Sequence, residues 1–169
     1  ISIDRLSRAD GAIAHYPGAE LHVYTADCFP ILFFTEQPHA AIAAVHAGWK
    51  GLKLGVVQKT IQLFPEKPQN LHVAIGPAIG PCCFSVREDF IEEWKKANLK
   101  PERFLKKTDN RWMFDLFSYL ITDVLEGISS SHRHLDFYRC TSCSVPSLPS
   151  FRRNKSANPR LRTWIRKTR

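Results

Sequence analysis

The sequence predicts an α/β fold, a mixed β-sheet sandwiched by helices in one domain spanning residues 1–169. The apolar periodicity switches between two and 3.6 along the chain, as it does where strands and helices alternate. Residues 30–35 and 40–46 are nearly continuous apolar runs, the pattern of strands covered on both faces. A chain of 169 residues with 44% hydrophobic and 24% charged residues can bury about two thirds of its unfolded surface, so it needs no metal or crosslink merely to stay folded. Disordered, collagen-like and disulfide-stapled classes are excluded. No apolar stretch approaches the roughly 20 residues of a membrane span.

The strands are expected first. Residues 21–26, 30–35 and 40–46 are β-prone, and residues 71–75 alternate as a fourth. After His46-Ala47-Gly48 the period changes: Trp49, Leu52, Val56, Ile61 and Phe64 fall at helical intervals until Pro65 stops the pattern. Ser85-Val86-Arg87-Glu88 has the spacing of a capping box and predicts a second helix to Ala97, with Phe90, Ile91 and Trp94 on one face. Asp115 is placed to cap a third over residues 116–126, ended by Gly127. Residues 134–140 then alternate as a strand, and residues 160–165 read as the last one.

The formal charge of +8 is not spread evenly. Every Asp and Glu lies upstream of Arg139, whereas nine basic residues occupy positions 139 onward. Such a tail suits nucleic acid, a membrane surface or one anionic small substrate. Five cysteines, two of them adjacent, do not form a secreted disulfide framework, and no basic-then-apolar signal opens the sequence at Ile1. A reducing, cytoplasmic setting is the expectation.

Several residues carry chemistry. Thr25-Ala26-Asp27-Cys28 closes one strand and Val45-His46-Ala47-Gly48-Trp49 closes another, so a thiol and an imidazole are delivered at neighbouring strand ends. Sulfur and nitrogen donors suit zinc; a buried thiol and a hydrogen-bonded histidine are the plainer alternative. Asp27 is a candidate for orienting a ligand or moving a proton, with turn formation as its ordinary duty. Residues 76–84 form a glycine- and proline-rich turn whose amides can face a ligand, or which needs these residues only for its shape. Cys140-Thr141-Ser142-Cys143 has CxxC spacing without a second CxxC, which favours a structural pair. His132-Arg133-His134 is assigned no role. Phe151-Arg152-Arg153 sets two guanidinium groups beside an aromatic ring, suited to phosphate capture with base stacking.

Taken together, TADCFPILFF, AAVHAGWKGL, AIGPAIGPCCFSV, WMFDL, CTSC and SFRRN resemble, in order and from about Ala9 to Ile165, the YfiH family, also called the laccase-domain or multicopper polyphenol oxidase family. The resemblance implies an α/β sandwich and a zinc ion bound by Cys28 and His46. The family's further ligand, a histidine in an upstream Gln-Val-His segment, has no counterpart here, and neither His15, His22 nor His72 occupies its position. CTSC stands where the family often has CTYC, and the tail after Asn154 is looser.

The activities implied are phosphorolysis of adenosine, inosine and methylthioadenosine and deamination of adenosine. Peptidoglycan precursor editing and copper-dependent phenol oxidation are alternatives. Zinc chemistry gives deamination a direct rationale, whereas phosphorolysis needs an anion site that Arg152 and Arg153 can supply. The expected catalytic set is Asp27, Arg152 and Arg153, acting on a purine nucleoside and phosphate. Copper is the lesser metal candidate, because a blue-copper centre uses two histidines, a cysteine and a weak axial ligand, and a multicopper enzyme more imidazoles still. A nucleic-acid-binding module would interleave basic and aromatic residues on a strand face, and the tail offers only Phe151 and Trp164 as aromatics.

Overall fold

A computed structural model describes residues 9–36, 40–135, 138–156 and 159–168. Its centre is a five-stranded sheet of order β1-β4-β3-β5-β9, formed by Gly11–Ala14 (β1), Phe29–Phe34 (β3), Ile42–Ala47 (β4), His72–Ile75 (β5) and Arg133–His134 (β9). All pairings are antiparallel except β5 with β9, so the sheet is mixed. A ribbon of Glu20–Thr25 (β2) and Leu161–Arg166 (β10) and a three-stranded sheet of Ser85–Val86 (β6), Leu105–Thr108 (β7) and Arg111–Phe114 (β8) complete the strands.

Register explains why β3 and β4 read as continuous apolar runs. Phe29, Ile31 and Phe33 lie opposite Ala47, Val45 and Ala43, and all six are inaccessible to solvent in the main core. The other face sets Phe34 opposite Ile42, and these pack with Leu21 and Ile165 of the ribbon in a second, smaller core. Both faces are therefore covered, and a central strand so covered has no polar side to show.

The helical stripe after His46 is two short helices, Trp49–Lys53 (α1) and Val56–Gln62 (α2), rather than one. Gly55 between them has φ 74°, a left-handed conformation that glycine adopts without a Cβ clash. The helix Glu88–Lys96 (α3) begins after Arg87 with no side-chain cap, so the expected capping box does not form. Ser85 belongs to β6 instead. The burial of Phe90 and Trp94 against Phe114 anchors α3, with ring centroids 4.8 to 5.4 Å apart.

Asp115 caps Leu116–Tyr119 (α4) as its position predicts, accepting from the Ser118 amide at 2.9 Å. That helix widens into a π turn over Leu120–Val124. The expected strand over residues 134–140 is replaced by the two-residue β9, and Cys140 makes only an isolated bridge with Ala78; residues 136–137 lie outside the described set. A short helix, Phe151–Asn154 (α5), follows in a stretch for which the sequence predicted no regular element. No described helix is long and apolar enough to cross a membrane.

Candidate active site

The turn from β2 into β3 is made by Asp27 at φ 84°, a conformation in which aspartate is among the better tolerated non-glycine residues. Its carbonyl accepts from the Ile79 amide at 2.8 Å. Its carboxylate accepts from the Thr141 hydroxyl and from the Arg152 amide, each at 2.6 Å. Asp27 thus ties three loops together beside Cys28. In these contacts Asp27 forms the turn and positions the loops, the duty that the sequence offered beside ligand orientation and proton transfer.

Cys28 lines a cavity of about 500 Å³ at this end of the sheet. Trp49, Phe84 and Phe151 give it aromatic walls, Ile79 and Leu116 apolar ones, and Arg152 and Lys155 a cationic side. Burial pushes the Cys28 thiol up to about 11, with the Asp27 and Asp10 carboxylates adding to it. His46 pairs with Pro30 in the β3–β4 register, a diagonal step from Cys28, and stands beside the cavity outside the residues that line it. Gly48 makes the room here. A Cβ at that position would stand 2.9 Å from the Cys28 sulfur, so only glycine leaves the space beside the thiol open. A thiolate and an imidazole at one strand end, with that open cradle, form a donor set that fits zinc better than a hard oxygen-seeking cation.

The two adjacent arginines make different contacts. Arg152 lies in the cavity wall, its guanidinium steered by the Ser85 hydroxyl at 3.0 Å and the Ser85 carbonyl at 3.1 Å, and stacked 5.8 Å from the Phe84 ring. Among the described residues no carboxylate forms a salt bridge with it. Arg153 points elsewhere. Its guanidinium donates to the carbonyls of Thr141, Ser142 and Leu148 and to the Asn154 side chain. These bonds staple the loop after Cys140.

Lys155, which the sequence reading passed over, joins Arg152 between this cavity and an adjoining one of about 860 Å³ that Lys106 and Arg111 also line. Its signal was the continuation of the basic run by one helical turn from Arg152. Three of the seven histidines, His72, His132 and His134, gather at the other end of β3. His72 pairs with Phe34 and contacts His132, stacked at 4.0 Å, and His134 at 3.3 Å. Burial, reinforced by the neighbouring imidazoles, holds His72 below its usual range.

A second sulfur-rich feature adjoins the larger cavity. The loop carrying Cys82 and Cys83 meets the one carrying Cys140 and Cys143, and the four sulfurs lie within 4.8 Å of one another. The structural reading of Cys140 and Cys143 as an isolated pair is therefore corrected: the adjacent cysteines supply the partners that a second CxxC would have announced. Burial raises the Cys82 and Cys83 thiols. At Cys140 burial also acts upward, but the amides of Gly80, Cys143 and Ser142 outweigh it and hold the thiol at about 7. This cluster can hold a metal ion.

A family model described as multi-copper polyphenol oxidoreductase laccase matches residues 2–167. The chain belongs to this family. It is 33% identical over 158 residues to the purine nucleoside phosphorylase YfiH of Shigella flexneri, covering 94% of this chain and 63% of the relative. It is 34% identical to a purine nucleoside phosphorylase of Aquifex aeolicus, covering 92% of this chain and 70% of that one. Among solved structures, YlmD from Geobacillus stearothermophilus superposes with a TM-score of 0.81 at 30% identity, over 95% of this chain and 61% of the other. A Neisseria meningitidis protein superposes equally well at 27% identity, over 95% of this chain and 65% of the other. The chain spans less than two thirds of the length of the Shigella relative and of both these structures.

Proposed function

We propose that this chain forms the purine-binding and phosphate-binding part of a zinc-dependent purine nucleoside phosphorylase that also deaminates adenosine. The observation that carries the reading is the composition of the Cys28 cavity. Aromatic walls, a soft metal donor and a guanidinium fork with no carboxylate partner among the described residues converge on a space of about 500 Å³, within the usual range for a small-molecule site. The relatives' names, purine nucleoside phosphorylase, support the same assignment.

Each residue then has a physical task. Trp49, Phe84 and Phe151 offer ring faces to a purine, and Phe151, 53% exposed, has apolar surface to cover with it. Arg152, held from behind by Ser85, presents its remaining N–H groups to phosphate, and Lys155 adds a point charge. This places the anion beside the sugar, so that attack at the anomeric carbon becomes effectively unimolecular. Asp27 holds the Arg152 backbone and Thr141 in register. Cys28 and His46 would hold zinc, which supplies Lewis-acid activation near neutral pH, the chemistry that loss of ammonia from adenine requires.

Release of adenine and ribose 1-phosphate from adenosine plus phosphate, and of inosine from adenosine, tests the reading. Both activities are expected in the zinc-loaded protein and both are expected to disappear in Cys28→Ala. Wild-type turnover in Cys28→Ala with unchanged zinc content would overturn it.

A further inference from the structure

We propose that Cys82, Cys83, Cys140 and Cys143 bind a zinc-class divalent ion as a closed tetrathiolate site, separate from the Cys28 cavity, whose task is to lock together the two loops beneath the substrate space.

Geometry supports a tetrahedron. With metal–sulfur bonds of about 2.3 Å, the edges of a four-sulfur tetrahedron are about 3.8 Å. The Cys82 and Cys143 sulfurs are 3.4 Å apart, and all four lie within 4.8 Å, so these separations bracket that edge. A disulfide would require about 2.05 Å between two sulfurs and would leave the convergence of the other two unexplained. The described cysteines are all free thiols. Four soft thiolates in tetrahedral array select zinc over magnesium or calcium.

The surroundings suit the charge. Four thiolates around a divalent ion carry a net formal charge of −2. The Gly80 amide already donates to the Cys140 sulfur at 3.2 Å, and the Arg153 guanidinium binds the carbonyls of Thr141 and Ser142 inside the CxxC turn. The cluster therefore has a hydrogen-bond donor and a cation close by.

The consequence concerns the cavity. The two loops are 61 residues apart at Cys82 and Cys143, and among the described residues the single Ala78–Cys140 bridge is the β-ladder contact between them. One loop leads into Phe84 and Ser85, which form the wall and the brace of Arg152; the other holds Thr141 against Asp27. A metal joining them would replace the backbone ladder they lack. All four positions would be filled by protein, leaving no open one for substrate, as in structural zinc sites.

The test uses cobalt(II) in place of zinc and alkylation of the wild-type chain, with Cys143→Ser and Cys28→Ala as variants. The tetrathiolate site predicts intense thiolate-to-cobalt charge-transfer and tetrahedral ligand-field bands that persist in Cys28→Ala and vanish in Cys143→Ser. Zinc should slow alkylation of Cys82 and Cys143 in the wild type by about tenfold or more, reversed by a chelator. The alkylation result stands even if Cys143→Ser does not fold. Cobalt bands without four-thiolate character in the wild type, equal alkylation rates with and without zinc, or a Cys82–Cys143 disulfide in the zinc-treated protein would each overturn the proposal.

Discussion

The chain carries soft donors in two settings that differ in how the fold brings them together. Cys28 immediately precedes β3 and His46 pairs with Pro30 near the end of β4, so the antiparallel register brings both to one end of the sheet. The four remaining cysteines meet between loops, where Cys82 and Cys143 are separated by 61 residues and only tertiary packing unites them. Of this pair, Cys28 lines a cavity with aromatic walls and an arginine. In the loop cluster Cys82 and Cys143 are exposed, the Gly80 amide donates to the Cys140 sulfur, and Arg153 donates to the Thr141 and Ser142 carbonyls beside it. The difference teaches where to look for chemistry: donors with an open side and a substrate-sized space are suited to reaction, and donors that saturate one another are suited to holding loops.

The sharpest way to break the comparison is to remove a donor from each region. Cys28→Ala or His46→Ala is expected to lower phosphorolysis by roughly a hundredfold or more, with thermal unfolding changed little. Cys143→Ser is expected to do the reverse, shifting thermal unfolding downward and making it insensitive to chelator. Parallel rate and melting measurements check both. Equal losses of activity and stability in all three variants would erase the distinction.

A smaller and more local contrast comes from two glycines. A Cβ at position 48 would meet the Cys28 sulfur at 2.9 Å, and one at position 80 would meet the Cys140 Cβ at 3.1 Å and the Cys82 sulfur at 3.3 Å. Each Gly→Ala change should cost about 1–3 kcal/mol by overpacking. Gly48→Ala should also reduce turnover, and Gly80→Ala should weaken cobalt binding at the cluster. Denaturant unfolding with both readouts separates them.

Arg152 and Arg153 sharpen the comparison further, because adjacent residues serve different regions. Arg152→Lys loses the planar fork and should raise the phosphate KM by about tenfold while the chain remains folded. Arg153→Lys loses carbonyl staples at a solvent-exposed position, so a loss of about 1 kcal/mol with unchanged phosphate dependence is expected. The smallest effect belongs to a control outside both regions. The Arg166 side chain, followed by His22, bonds to Glu20 and holds its carboxyl below the usual range. A carboxylate held low contributes stability above about pH 4.5, lost as pH falls through its folded-state value. Glu20→Gln should flatten that acid limb in a melting-versus-pH series and leave both sulfur regions unaltered.

What was legible in the sequence follows the same division. The central strands were readable because burial on both faces writes apolar runs into β3 and β4, and the Asp115 cap because its bond to Ser118 is local. The break at Gly55 was missed because the apolar stripe continues through it, and the hairpin of β7 and β8 because Leu105–Thr108 is largely polar and exposed. Ser85 resembled a cap because spacing does not show that its hydroxyl is engaged by a residue 67 positions away. Cys28, His46 and Arg152 could be named from motifs. The separation of Arg152 from Arg153, and the meeting of the cysteine loops, required tertiary structure, because neither leaves a period in the sequence.

Whether chemistry resides at Cys28 or at the four-cysteine cluster is decided by measuring zinc per chain and adenosine phosphorolysis on the same preparations of wild type, Cys28→Ala and Cys143→Ser. Cys28→Ala is expected to keep the cluster's zinc but lose turnover, whereas folded Cys143→Ser is expected to lose the cluster's zinc but retain turnover. Turnover that follows the cluster's zinc while ignoring Cys28 would contradict the assignment of chemistry to Cys28.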